Sequence, residues 1–423
     1  MRRSSMPFLE SPLALPQLAA AALALVFAAV LPAQRPAQVY TGARILPGGA
    51  PPIENGVLVT AGGKIVAVGD ASLALPEGAD VVDCRGRTIT PGLIDASFDG
   101  GVARADRNEQ GEEVTPHLRV LDALDPEDPA LLRARAAGVT AVHLMPGTDN
   151  VIGGLGCVVK TAASDPTAML LKADASLRIV MGSEPSRGNR AIRGGRVESI
   201  YYRRPTTRMG VVWEARSAFF DAQQALEQTL GAAPTPPNPG REVLARVLRG
   251  ELTAYTTARS EQDIRTALRI AAEFGYRTVV DEAQDAWLVV DELAAANVTV
   301  LLGAPSADSV GGGGARDGAD PRYATAKLLA DRGVPFVITT GTNARGLELV
   351  REAMFAARYG VPPQQALDAI TIAPARVLGV ADRVGSLAPG KDADFVVWSH
   401  DPLDPAAVAV SVHVDGKPDT AHR

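Results

Sequence analysis

Apolar and polar positions change their period twice along this 423-residue chain. From Gln38 to Thr90, short β-rich runs (Val39-Tyr40, Gly56–Val59, Lys64–Val68, Thr88-Ile89) are broken by Gly and Pro, a pattern that predicts a small antiparallel sheet. After Pro91-Gly92, short apolar strands alternate with helices, which implies parallel βα units. The clearest unit opens at Ser260, a helix N-cap, carries Ile264, Ala267, Leu268, Ala271 and Phe274 on one face, stops at Gly275 and runs into the strand Thr278–Val280. Similar units are predicted at Leu131–Ala137 with Val139–Leu144, at Trp287–Ala296 with Val298–Leu302, and from Pro321 to Val334–Thr340. Arg178–Met181 reads as a lone strand, and Met209–Leu230 as a long helix followed by a Pro-rich loop at Ala232–Gly240. Near Val380 the helical period ends and β-like sequence returns at Phe395–Trp398 and Ala409–Val414.

The strand count suits an α/β (β/α)8 TIM barrel over residues 91–380, with a poorly defined third strand. Residues 38–90 and 381–418, one stretch on each side of it in sequence, are expected to pair as a split β-sandwich, because domain termini often lie close together. Residues 1–33 read as an export leader: Arg2 and Arg3, an apolar run Leu18–Leu31, then Pro32-Ala33-Gln34. That run is shorter than the about 20 apolar residues that span a bilayer, so the expectation is cleavage and a periplasmic or secreted protein rather than a retained anchor.

Composition narrows the partners. An apolar content of 46% supports a real core, and a formal charge of −6 with scattered Lys and Arg gives no footprint for nucleic acid or an anionic membrane. The four glycines at 311–314 lack the following Lys-Ser/Thr of a phosphate-binding loop. Cys84 and Cys157 fall in different predicted domains and are taken as small buried side chains.

Three stretches carry a resemblance: Gly62–Gly69, Thr90-Pro91-Gly92-Leu93-Ile94-Asp95-Ala96, and Gly385–Val396 with its Gly390-Lys391-Asp392-Ala393-Asp394 centre, preceded by Thr371–Ala375. In order and spacing they resemble the signatures of the amidohydrolase superfamily. Glu113–Pro116, Asn150–Gly154 and Thr207–Gly210 resemble its imidazolonepropionase-like branch. The resemblance implies a hydrolase of non-peptide C–N bonds, such as cyclic amides, with zinc or another divalent metal at the C-terminal ends of the barrel strands.

Residue by residue, the metal ligands implied by that resemblance are replaced. Ser97-Phe98-Asp99 stands where the family has His-x-His, and Ser183, beside Glu184, near the fourth-strand carboxylated Lys or Glu. Thr257 or Arg259 falls at the fifth-strand His, Glu282 at the sixth-strand His, and Asn343 at the eighth-strand Asp. Of the five histidines, His400 and His413 lie in the sandwich segments and His422 in the tail, so only His117 and His143 belong to the barrel. The expectation is a member without cofactor and with impaired or no catalysis. Losing the metal removes the drop in water pKa from about 15.7 to about 7, on the order of 12 kcal/mol of activation. Two rescues are weighed against it: an oxygen-ligand site from Asp95, Asp99, Asp281 and Glu282, with Asp99 and Glu282 its core, and a carboxylated Lys160 or Lys172. Strand parity sets Arg259 on the side of Thr257, where its guanidinium either pairs with Glu282 or Asp99 in the former metal position or is a solvated rim arginine. The expected partners are a small-molecule ligand in the barrel mouth and a second subunit, either a copy of the chain or an active amidohydrolase.

Overall fold

The computed structural model describes residues 36–162, 165–186, 204–228, 238–303, 322–341 and 349–419. The leader, Pro321, the glycines at 311–314, Asn343 and His422 lie outside them. From Ala37 onward the chain forms one compact unit. Its strands are β1 (Gln38–Ile45), β2 (Ile53–Ala61), β3 (Lys64–Gly69), β4 (Asp80–Asp83), β5 (Thr88–Pro91), β6 (Leu93–Asp95), β7 (Val139–Leu144), β8 (Ile152–Lys160), β9 (Leu170–Val180), β10 (Ala254–Thr257), β11 (Thr278–Asp281), β12 (Thr299–Leu302), β13 (Phe336–Ile338), β14 (Phe395–Trp398), β15 (Ala409–Val414) and β16 (Lys417–Pro418). The helices are α1 (Pro129–Ala136), α2 (Pro166–Met169), α3 (Arg208–Gln228), α4 (Pro239–Leu248), α5 (Glu261–Phe274), α6 (Val290–Ala296), α7 (Thr325–Asp331), α8 (Leu349–Arg358), α9 (Pro363–Asp368) and α10 (Ile372–Leu378). No described helix is long and apolar enough to cross a membrane.

Two eight-stranded sheets result. The central one runs β13-β12-β11-β10-β9-β8-β7-β6. It is parallel except at β8, which pairs antiparallel with both β7 and β9, so the expected uniform βα alternation fails at the third strand. Among the described residues its end strands share no continuous ladder. The bridge Phe98–Gly341, with the Gly341 N–H donating to Ser97 O at 3.0 Å, ties their C-terminal ends. Ile94 N–H and Ile338 N–H donate to Ile370 and Ala369, in the segment that leads into α10.

Side-chain alternation sorts the strand residues into two layers. Leu93, Val280, Val300 and Ile338 join the large cluster beneath the helices, while Ile94, Val279, Leu301 and Val337 join a second cluster with Ile372, Ala375 and Leu378 of α10. The α5 unit forms as its sequence dictates: Ser260 Oγ accepts from the Asp263 N–H, and Gly275 turns left-handed at φ 71°. Elsewhere the boundaries move. The predicted Trp287–Ala296 helix begins at Val290 after a short 3-10 turn, the helix expected from Pro321 begins at Thr325, and α4 starts inside the predicted Ala232–Gly240 loop.

The second sheet joins both chain ends, with order β16-β15-β14-β5-β1-β2-β3 and β4 branching from β1. It is mixed rather than antiparallel, because β1 pairs parallel with β4 and β5. The Pro91-Gly92 step is needed where the sheets meet: a Cβ on Gly92 would lie 2.0 Å from Thr140 Oγ1. At Gly138, φ is 94° and a Cβ would come within 3.2 Å of Val396 and Trp398. Lys160, at the end of β8, is buried against Asp392 (2.8 Å), Asp394 (3.0 Å) and Asp415 (2.5 Å). Burial alone raises Asp392, but hydrogen bonds from Lys160 and Lys64 overcome it and hold it down to about 2. Burial pushes Asp394 up to about 6, with Lys160 pulling the other way.

Replacing Lys160 by Met leaves these carboxylates without their buried counter-ion and should cost about 3–5 kcal/mol of stability at neutral pH. Denaturant titrations should show the penalty shrinking on acidification, because Asp394 then takes up a proton and needs no cation. Equal stability of the two proteins at neutral pH would contradict this.

Candidate functional site

Five charged side chains meet at the C-terminal ends of β9, β10 and β11. Arg178 donates from Nη1 to Asp281 Oδ2 at 2.8 Å and reaches Glu282 Oε1 at 3.9 Å. Arg259, two residues beyond β10, pairs with both Glu184 and Glu282. All five are buried, Asp281 completely. Glu282 sits at φ 55°, a conformation that costs a residue with a Cβ on the order of 1–3 kcal/mol and is held only where the surroundings impose it.

Asp95 joins the two edges of the central sheet. Its carboxylate accepts from the Ser97 N–H at 3.1 Å, from the Thr340 N–H at 3.3 Å and from the Thr340 hydroxyl. Ser97 Oγ donates in turn to Asp281 Oδ2 at 3.3 Å. Burial pushes Asp95 up to about 7 against the hydrogen bonds from Thr340 and Ser97. Burial likewise raises Asp281, with Arg178 pulling it down. At Arg259 burial disfavours the cation, but Glu282 and Glu184 outweigh it and hold the guanidinium above its ordinary value. In a desolvated site these opposite charges sustain one another.

The sequence-derived candidates divide accordingly. Ser97, Thr257, Arg259 and Glu282 belong to this centre or its wall, and Thr257 Oγ1 is buried without a hydrogen-bond partner among the described residues. Ser183 precedes the turn that delivers Glu184, and its carbonyl accepts from Ser186. Asp99 is not in the centre: it turns away to an ion pair with Arg107, so of the two expected partners of Arg259 the structure has Glu282 and not Asp99, and the oxygen-ligand set loses a member. Among the described residues no group of three or more His, Cys, Asp or Glu side chains is placed to hold a metal ion.

Neither lysine lies at the centre. Lys160 is committed to the terminal sheet, and Lys172 donates to Leu378 O at 2.8 Å, capping α10. His143 is fully buried with both ring nitrogens engaged, by Ala96 O at 2.9 Å and Ser176 Oγ at 2.8 Å, and burial lowers it to about 4. His413 stacks on Phe395 in the terminal sheet, and Cys84 and Cys157 are both buried and not joined to each other.

Arg178 is the residue that sequence reasoning missed. The signal was present: a cation inside the apolar run Leu177-Arg178-Ile179-Val180 of a central strand must find buried anions. In the sequence Glu184 is a neighbour of the candidate Ser183, yet its carboxylate, not the serine, enters the network.

Residues 279–421 match a profile of the amidohydrolase family. Amidohydrolase tasK of Hapsidospora irregularis is 29% identical over 397 residues, 86% of this chain but 39% of that protein. Imidazolonepropionase of Shewanella baltica is 36% identical over 92 residues, 21% of this chain and 22% of that enzyme. The chain thus spans well under half the length of these curated relatives. The crystal structure of an amidohydrolase from Thermotoga maritima superposes with a TM-score of 0.80 at 31% identity, covering 90% of this chain and 99% of that one.

Removing the Arg259 guanidinium strands Glu184 and Glu282 in a buried site. Arg259→Ala should therefore lower stability by about 3–5 kcal/mol, and calorimetry should show Arg259→Lys in between. An unchanged melting temperature in Arg259→Ala would contradict the pairing. Asp95 titrates higher in the folded chain than its ordinary value of about 4. Its contribution is therefore present at low pH and lost as pH rises through about 7. Melting curves between pH about 5 and about 8 should fall more steeply for the native protein than for Asp95→Asn.

Proposed function

Because this chain belongs to the amidohydrolase family, we propose that it is a metal-free member: a hydrolase scaffold that works by binding rather than by water activation. The observation that carries the reading is the position of Arg259 and Arg178 among Glu184, Glu282 and Asp281. Two fixed guanidinium groups supply the same total charge as one divalent ion, so two of the three carboxylate charges are already balanced. A metal entering this space would meet two cations at close range. The donor chemistry fits no better, since Ser97 and Thr257 offer weak hydroxyl ligands where the family resemblance implies imidazoles.

Without a Lewis acid, a lone general base is worth roughly 10²- to 10⁴-fold, far short of the activation the metal provides. The central sheet is, on this reading, a (β/α)8 barrel with one antiparallel strand, and the terminal sheet its companion sandwich. The leader directs the protein out of the cytoplasm, and a small ligand, a second copy or an active relative is its partner.

One observation favours a rival. Asp281 Oδ1 and Glu282 Oε1 are buried without hydrogen bonds among the described residues, as oxygen ligands awaiting a hard cation would be. Both carboxylates are nevertheless already in contact with guanidinium groups, which argues against a second cation there.

Elemental analysis of protein purified without chelator separates the two. Zinc, iron and manganese should each be far below one per chain, and cyclic amides should not be turned over even after metal soaking. Near-stoichiometric metal together with turnover would establish the hydrolase instead.

A further inference from the structure

A second polar site lies on the helix side of the central sheet, independent of the ion network and of the proposed function. Between β12, β13 and the helices α7 and α8 is a cavity of about 40 Å³, with Leu302, Ile338, Ala326 and Ala356 among its walls. At about 10–15 Å³ for each water, it has room for a molecule of a few heavy atoms. Three acceptors line it: the Glu352 carboxylate on α8, Thr325 Oγ1 at the first position of α7, and Gln284 Oε1 beyond β11.

None of the three is satisfied by the protein. Glu352 is 5% exposed, and its carboxylate has no hydrogen bond or ion pair among the described residues. Thr325 Oγ1 and Gln284 Oε1 are buried with no hydrogen-bond partner. Buried polar groups are normally paired, and each orphan costs on the order of 1–3 kcal/mol, more for a carboxylate. A convergent set of unused acceptors around an anion selects a ligand with several N–H donors and a positive charge. A primary ammonium presents three such donors on one compact atom. The apolar walls suit the carbon attached to it. Arg322 does not fill the role, because its guanidinium lies over the Trp287 ring, 3.5 Å from the centroid.

We propose that this cavity binds the ammonium head of a small primary amine, with Glu352 as counter-ion and Gln284 and Thr325 as further acceptors. Burial pushes Glu352 up to about 7, with Arg351 on the same helix pulling it down, so binding of an ammonium near neutrality is coupled to release of a proton from this carboxyl group. The other charged or titratable neighbours are Arg322 and Tyr323 ahead of α7. Arginine keeps its charge at any working pH, and burial raises the Tyr323 phenol further out of range, so Glu352 alone titrates near neutrality.

Methylammonium is the probe, with methanol as its uncharged counterpart, titrated against the full chain by saturation-transfer NMR. Saturable methylammonium binding is expected at about pH 8, weakened by about tenfold or more at about pH 5.5, where the ionised carboxylate is a minor species. Glu352→Gln should show the same weakening at both pH values while keeping its fold by circular dichroism, since it removes a buried unpaired charge. Ala356→Leu, which fills the cavity but keeps the carboxylate, should abolish binding. Affinity independent of pH, unchanged binding in Glu352→Gln, equal binding of methanol, or no saturable binding to the native chain would each overturn the proposal.

Discussion

The arrangement of the central sheet's C-terminal edge depends on one buried ion network. Arg178 and Arg259 are cations in a space from which water is largely excluded, and each is tolerable only because Asp281, Glu282 and Glu184 surround it. The dependence is mutual. Asp281, at the last position of β11, is fully buried and needs a cation as much as the arginines need an anion. From Asp281 the network passes through Ser97 to Asp95 and on to Thr340, so it reaches both edges of the sheet. The left-handed backbone at Glu282 turns that carboxylate toward Arg259 instead of along the strand direction.

The same logic recurs where the two sheets meet. Lys160 ends the antiparallel strand β8 and is held by Asp392, Asp394 and Asp415, two of which come from the Gly390–Asp394 signature. Asp392 also accepts from Lys64 and Arg383. That signature is therefore a buried electrostatic clamp from the C-terminal segment onto both the central sheet and β3. The Pro-Gly step at 91–92 contributes sterically, because no side chain fits against Thr140 at that point.

Scaffold and site thus separate in this chain. The match to the amidohydrolase family covers residues 279–421, which include the Gly390–Asp394 clamp. Fold by itself does not settle the reaction, which depends on a handful of strand-end residues. On our reading, a metal and its imidazoles have given way to guanidinium groups and hydroxyls, with the total charge conserved and the capacity to activate water lost. The Glu352 cavity stands apart from this exchange. It lies in the helix-facing layer, beneath α7 and α8, where neither guanidinium reaches it.

Much of the fold was written in local pattern. Capping by Ser260 and Gly275, the β-runs at both ends and the strands Thr278–Val280 and Phe395–Trp398 follow from nearest-neighbour chemistry, and the structure has them. Identity alone also determined that Ser97, Thr257, Arg259 and Glu282 offer hydroxyl, guanidinium and carboxylate groups, because a serine or an arginine cannot become an imidazole in any fold. What the sequence could not decide is partnership between residues distant along the chain. Strand direction at β8, the parallel joining of β1 to β5, the choice by Arg259 of Glu282 over Asp99, and the pairing of Arg178 with Asp281 are set by which groups are desolvated together. Burial is a property of the assembled molecule, and a charge acquires its obligatory partner only once water has been removed from around it.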